Sequence, residues 1–241
     1  MTRKPDLLER FDRQTRGILD GRLKLSRVAL RPEFEKIRPW RSLGLLSLHA
    51  EMFRSERLES ISLATLSLIG LFRIYNMVFR PSPVYNLPIL TSDIMLTGDR
   101  RAFYIEVIDP THLDDENKAA GYQRMMDLKR QTAAFEQRQA FSEWYRQVLA
   151  DCSIMTRTTS ENDDIMLRVH GAFLNVYLDM VAGAVPLPDD KSARVRDSMV
   201  GFVERLVREG GSSVKMIKRL LGEQKGREYV TGVVFGISGK R

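Results

Sequence analysis

Cysteine and histidine are nearly missing from this 241-residue chain, which has one cysteine, Cys152, and three histidines. A lone cysteine forms no internal disulfide and cannot by itself hold an iron–sulfur cluster or a structural zinc. A reducing, cytoplasmic setting is therefore expected. The histidines, His49, His112 and His170, are scattered along the chain, and no bound metal is expected. His170 falls among apolar neighbours in a helical stretch, where a packed structural role is expected, and His112 follows Pro110 in a loop. The sequence also lacks GxGxxG after a strand, GxxxxGK[ST], HExxH and GxSxG. These absences count against nicotinamide and P-loop nucleotide binding, zinc peptidase chemistry and serine hydrolysis. Long hydrophobic runs are missing too. The apolar stretch near 61–79 is interrupted by Arg73 and Asn76, and the opening MTRKPDLLERF has no apolar signal core, so neither a membrane span nor export is expected.

What is present describes an ordinary soluble protein with a basic surface. Hydrophobic residues make up 43% of the chain, enough for a sizeable core, and the length suits one large domain over 1–241. The net charge of +7 suits acidic proteins or anionic small molecules as partners. Lys and Arg are spread without a dense block, and neither zinc-finger spacing nor an aromatic-studded basic strand occurs, so nucleic acid is not the expected partner.

Residues 5–20 carry Leu7, Leu8, Phe11, Ile18 and Leu19 at helical spacing, which predicts an amphipathic first helix. Residues 21–42, basic and with two prolines, read as an irregular connection. Between 44 and 110 apolar runs of strand length follow one another at 44–52, 57–68, 70–79, 88–97 and 101–109. The turns between them are too short for parallel crossovers, which predicts an antiparallel meander. From 115 the pattern turns helical, over 115–150, 163–183, 190–209 and 213–236, with breaks at the loop 185–190 and at Gly210–Ser213. Strands first and helices second predict an α+β layered domain.

Two segments carry a family resemblance. One is NMVFRPSPVYNLPILTSDIM over 76–95, where a strand ends at a proline, a loop with Leu-Pro follows, and an Asp lies on the next strand. The other is LGEQKGREYVTGVVFG over 221–236, a glycine turn, a short helix and a terminal aromatic. Together they resemble the ferredoxin-dependent bilin reductases. The resemblance implies a three-layer α/β/α sandwich with a central antiparallel sheet. It also implies a linear tetrapyrrole such as biliverdin between the sheet and the C-terminal helices, single electrons from a reduced ferredoxin, no bound cofactor, and a monomer that forms a phycobilin.

The chemistry implied is proton supply to a substrate that itself accepts the electrons. A carboxyl enclosed beneath a tetrapyrrole has a raised pKa and can donate a proton near neutral pH. Asp93 resembles the family's proton donor, and strand alternation puts it on one face with Thr91, Met95 and Thr97. Asn76 matches a position that is His in the phycocyanobilin-forming branch and Asn in the branches that form phycoerythrobilin or phytochromobilin. An amide there can hydrogen-bond the pigment but supplies no proton. Further family acid–base positions fall on Ser62, Ala64 and Gly211, with Ser212, Ser213 and Glu209 beside the last. Asp93 then stands as the one securely placed acid, and a limited reduction is expected. Met216 and Val234 are candidates to face the pigment. Arg100, Arg101, Lys215, Lys218 and Arg219 are candidates for its propionates or for ferredoxin. Three other readings stay open: a member that binds a bilin or other tetrapyrrole without turnover, a relative acting on a chlorophyll catabolite, and a basic nucleic-acid binder.

Overall fold

A computed structural model describes residues 6–37, 46–69, 71–140 and 142–237, the Ser212 side chain excepted. Parts of the expected elements, residues 5, 38–42, 44–45, 70 and 141, lie outside the described residues. The elements in chain order are α1 (Leu7–Arg22), β1 (Ser26–Val28), α2 (Pro32–Glu35), β2 (Lys36–Ile37), β3 (Leu46–Arg54), β4 (Leu58–Leu68), β5 (Phe72–Pro81), β6 (Ile89–Thr97), β7 (Arg100–Ile108), α3 (Glu116–Lys129), β8 (Glu136–Gln137), α4 (Glu143–Val148), β9 (Ile154–Thr159), α5 (Asp163–Gly183), α6 (Asp189–Glu209), α7 (Ser212–Leu221) and α8 (Glu223–Glu228). A wide helical turn, Tyr229–Val234, follows α8.

The nine described strands form one antiparallel sheet in the order β1-β3-β4-β5-β6-β7-β9-β8, with β2 beside β1 on the outer edge of β3. The meander from β3 to β7 is the one expected from the short turns. The structure differs from expectation on either side of it. Residues 21–42 supply the edge strands β1 and β2, which pair with β3. The stretch 115–150 is not one helix: it holds α3, β8 and α4. Beyond it, β9 pairs with β7 over Arg100–Ile105, because its Ile-Met-Thr-Arg-Thr-Thr sequence is β-branched and alternating.

Both sheet faces are covered, which is why the central strands read as nearly continuous apolar runs. One face packs under α1, α3 and α5. Phe79, Phe103, Ile105 and Val107 point there and meet Phe11, Phe173 and Tyr177, all fully buried. A capping box between Asp6 and Glu9 starts α1 and aims Phe11 at the sheet. Helix α5 is the one described helix long and apolar enough to cross a membrane, and most of it is buried in this core. The opposite face is covered by α4, α6 and the C-terminal helices, through Val78, Ile89 and Ile108 against Phe202, Leu206 and Phe235.

The β5–β6 connection carries the Pro-Ser-Pro and Leu-Pro elements and is fixed from three sides. Tyr177 Oη donates to the Pro88 carbonyl at 3.0 Å, the Leu187 amide to Val84 at 2.7 Å, and Lys118 Nζ to Asn86 at 3.1 Å. These contacts set where β6 begins, and so where Asp93 lies.

His170 on α5 is buried against the edge of Phe11 at 5.0 Å between ring centres, and its Nε2 has no hydrogen-bond partner among the described residues. Burial pulls its pKa down from 6.5 to about 4. The unfolded chain therefore takes up a proton below 6.5 that the folded chain refuses until about 4. Stability should fall by about 3 kcal/mol as pH drops through that window. Urea unfolding of wild type and His170→Phe between pH 4 and 7 checks this: the variant should lose most of the acid sensitivity in that range.

Candidate active site

The candidate site is a cavity of about 420 Å³ between the sheet and the C-terminal helical layer. That size suits a small organic ligand. Its floor is the pleated face of the sheet, and strand register dictates the layout. One row across the strands runs Ala64, Asn76, Asp93, Tyr104, Met155. The next row runs Ser62, Val78, Thr91, Glu106. Side chains two apart on a strand share a face, so both rows point the same way. The roof is apolar: Leu206, Val214, Met216, Ile217, Val230 and Phe235.

Asp93 and Asn76 sit directly opposite each other on β6 and β5. Asn76 Nδ2 donates to Asp93 Oδ1 at 2.8 Å, while Oδ2 has no partner among the described residues. Burial raises the Asp93 pKa above the ordinary carboxylate value, and the Asn76 hydrogen bond partly opposes that rise.

A second carboxyl lies in the same wall. Glu106, on β7, is buried and accepts at one oxygen, Oε2, from Tyr145 Oη at 3.1 Å and from Thr91 Oγ1 at 3.3 Å. Its pKa is pushed up to about 7, first by burial and then by the negative charge of Asp93, against the pull of the two hydroxyl donors. Asp93, diagonally across from Glu106 on β6, thus opposes its ionisation and adds to the effect of burial. The expectation of Asp93 as the one securely placed acid is corrected here. The signal for Glu106 was a glutamate inside the apolar run Phe-Tyr-Ile-Glu-Val-Ile, in step with Tyr104 and Ile108.

The other expected residues divide between the cavity and its surroundings. Ala64, Gly211, Met216 and Val234 line it. Gly210, at φ 38°, ends α6 in a left-handed backbone, and an added Cβ would lie 3.1 Å from the Leu206 carbonyl. The chain can therefore turn Gly211 onto the cavity only because no side chain is present at that bend. Ser213 also lines the cavity, whereas the Ser212 side chain lies outside the described residues. Ser62 is fully buried and outside the lining, and its hydroxyl has no hydrogen-bond partner among the described residues. Glu209 is exposed and paired with Arg205 and Arg208.

None of the five expected basic residues lines the cavity. Arg101 points to the opposite face, where it is buried against Asp163 at 2.8 Å. Lys218 donates to the Val207 carbonyl at 2.6 Å and pairs with Glu223 at 2.7 Å. Arg100, Lys215 and Arg219 are exposed on the surface. The cations that do line the cavity are Arg138, just after β8, and Arg157 on β9. Arg138 is paired with Glu136 at 2.9 Å, and Arg157 has no partner among the described residues. Both lie past the stretch expected to form the sheet. Among the described residues no group of three or more His, Cys, Asp or Glu side chains is placed to share a metal ion.

The candidate site is thus an apolar slot over an antiparallel sheet, with two carboxyls of raised pKa in its floor. The model of the ferredoxin-dependent bilin reductase family matches residues 13–236, and the chain belongs to that family. Among solved structures, it is similar to phytochromobilin synthase from tomato, crystallised with biliverdin: the TM-score is 0.82 at 12% identity, over 95% of this chain and 85% of that one. That likeness supports the α/β/α sandwich. No curated protein sequence matches.

Proposed function

We propose that the cavity binds biliverdin and that the protein reduces it to a phycobilin, with electrons delivered one at a time by ferredoxin and Asp93 as a proton donor. The observation that carries this reading is the Asp93 carboxyl, hydrogen-bonded to Asn76 on one oxygen and open on the other, in the floor of an apolar cavity. Adding an electron to a conjugated pigment makes its carbons and nitrogens basic, and a carboxylic acid beneath them then gives up its proton. Asn76 orients Asp93 and can hydrogen-bond a pigment lactam or pyrrole, without supplying a proton itself. The reading includes a monomer in a reducing cytoplasm that needs no resident metal or flavin, since the pigment accepts the electrons.

A bilin carries two propionates, and Arg138 and Arg157 line the cavity as their natural partners. Replacing both by Ala should weaken biliverdin binding by about tenfold or more. Absorbance titration checks this, with Lys215→Ala and Arg219→Ala as controls expected to bind normally.

A second reading, pigment binding without turnover, draws on Ala64 and Gly211, which bring no acid to the wall. One anaerobic experiment separates the two. Purified protein is mixed with biliverdin, then with reduced ferredoxin, and followed by absorbance and product chromatography. Reduction in the bound state supports the enzyme. A pigment complex that never changes on reduction sinks it.

A further inference from the structure

Resting on the bilin-reduction reading, we propose that Glu106 is the second proton store of this site, a carboxylic acid that holds its proton on Oε1 and delivers it to the bound pigment alongside the proton from Asp93. Three observations on Glu106 carry this. It lines the cavity on the same sheet face as Asp93, one strand over and two residues along the ladder. That diagonal offset separates the two by roughly 7 Å, short enough for both to underlie one extended ligand. Both hydroxyl donors, from Tyr145 and Thr91, converge on Oε2, and Oε1 has no partner among the described residues. A proton on this carboxyl therefore belongs on Oε1, since Oε2 is already filled as an acceptor.

The step balances. Saturating one double bond of the pigment takes two electrons, supplied singly by a one-electron iron–sulfur donor, and two protons. Asp93 and Glu106 give one proton each, two C–H bonds form where one π bond is lost, and both acids are left as carboxylates. Water at the rim returns their protons before the next turnover. The charged and titratable groups sharing the wall with Glu106 are Asp93, Tyr104, Tyr145, Tyr229, Arg138 and Arg157. Of these, Asp93 opposes ionisation of Glu106 and Tyr145 favours it, in line with a carboxyl that titrates at about 7.

The test uses Glu106→Gln, which keeps the shape and an acceptor for Tyr145 but carries no acid proton. Two readouts are taken. The first is infrared difference spectroscopy of the pigment-free protein during a pH titration, following the carbonyl stretch of protonated carboxylic acids. Wild type should show such a band lost near neutral pH, and Glu106→Gln should lack it. In Tyr145→Phe, with one donor to the carboxylate removed, the loss should move to higher pH. The second readout is single-turnover reduction of bound biliverdin, where Glu106→Gln should slow product formation by about 100-fold and accumulate the half-reduced pigment. A band that persists unchanged in Glu106→Gln, or product formation at the wild-type rate and pH profile, overturns the proposal and leaves Glu106 as a support for Tyr145. If wild type itself reduces no bilin, the function reading fails, and proton storage at Glu106 stands or falls on the infrared band alone.

Discussion

Asp93→Asn is expected to slow reduction of bound biliverdin by about 100-fold or more while leaving the pigment bound. Asparagine has the shape of the native side chain, and its amide oxygen still accepts from Asn76 Nδ2, so β5 and β6 keep their register. What is lost is a titratable proton in the cavity floor. The substitution also acts on Glu106, whose pKa is raised partly by the charge of Asp93. With that charge gone, Glu106 moves back towards its ordinary value of 4.5 and gives up its proton at lower pH. The residual activity should therefore show its pH profile displaced to the acid side. A merely unstable variant would lose pigment binding and keep the wild-type profile. Anaerobic single-turnover absorbance across pH 5–8 decides it, and wild-type rates with a wild-type profile would remove Asp93 from the mechanism.

The second large effect concerns the helical roof. Arg80, at the end of β5, is buried, and its guanidinium reaches the C-terminal segment. Nε donates to the Phe235 carbonyl at 2.6 Å, Nη2 donates to the Gly236 carbonyl at 3.1 Å, and Nη1 pairs with Glu59. Gly236, at φ 61°, crosses so close to β4 that an added Cβ would lie 2.4 Å from Ser60 Cβ, so the segment is held tight against the sheet. Arg80→Met keeps the apolar stem but removes the donors, leaving carbonyls without their partner. Stability should drop by about 2–4 kcal/mol. The segment bearing Val230, Val234 and Phe235 forms part of the cavity wall, so biliverdin affinity should fall with it, by about tenfold or more. Denaturant unfolding, limited proteolysis and absorbance titration test the three consequences. The exposed partner gives the control: Glu59→Gln should cost under about 1 kcal/mol, because that side chain is 43% accessible and its charge is well solvated. Equal effects from the two substitutions would mean that the ion pair, and not the carbonyl clamp, holds the roof.

Much of the sheet was legible because strands β3–β7 are local: each is joined to the next by a short turn, and alternation marks which residues share a face. Asn76 and Asp93 came into view through the family resemblance, and the strand register then set them opposite one another. The edges were less legible. β1 and β2 are short and polar, and β9 reaches β7 only after two intervening helices, so no local pattern announces its partner. Arg138 and Arg157 were missed for that reason. The basic residues of α7 failed as cavity candidates for a different one: Lys215 and Arg219 lie on its exposed side, and Lys218 reaches back to the Val207 carbonyl. Glu106 was visible as an oddity, a charge inside an apolar strand.

The sequence by itself determined the order and kind of most elements, because periodicity and short turns act over neighbouring residues, and its motifs pointed to the family and to Asp93 and Asn76 as candidates. Only the tertiary structure decided which face of the sheet is covered by solid core and which by a cavity. That choice depends on helices α1, α3 and α5 filling one side completely, while α4, α6 and the clamped C-terminal segment leave a gap on the other. The same strand alternation that buries Ile105 and Val107 on the packed side thereby turns Glu106 into a carboxyl on a cavity wall, beside the acid that the sequence had shown alone.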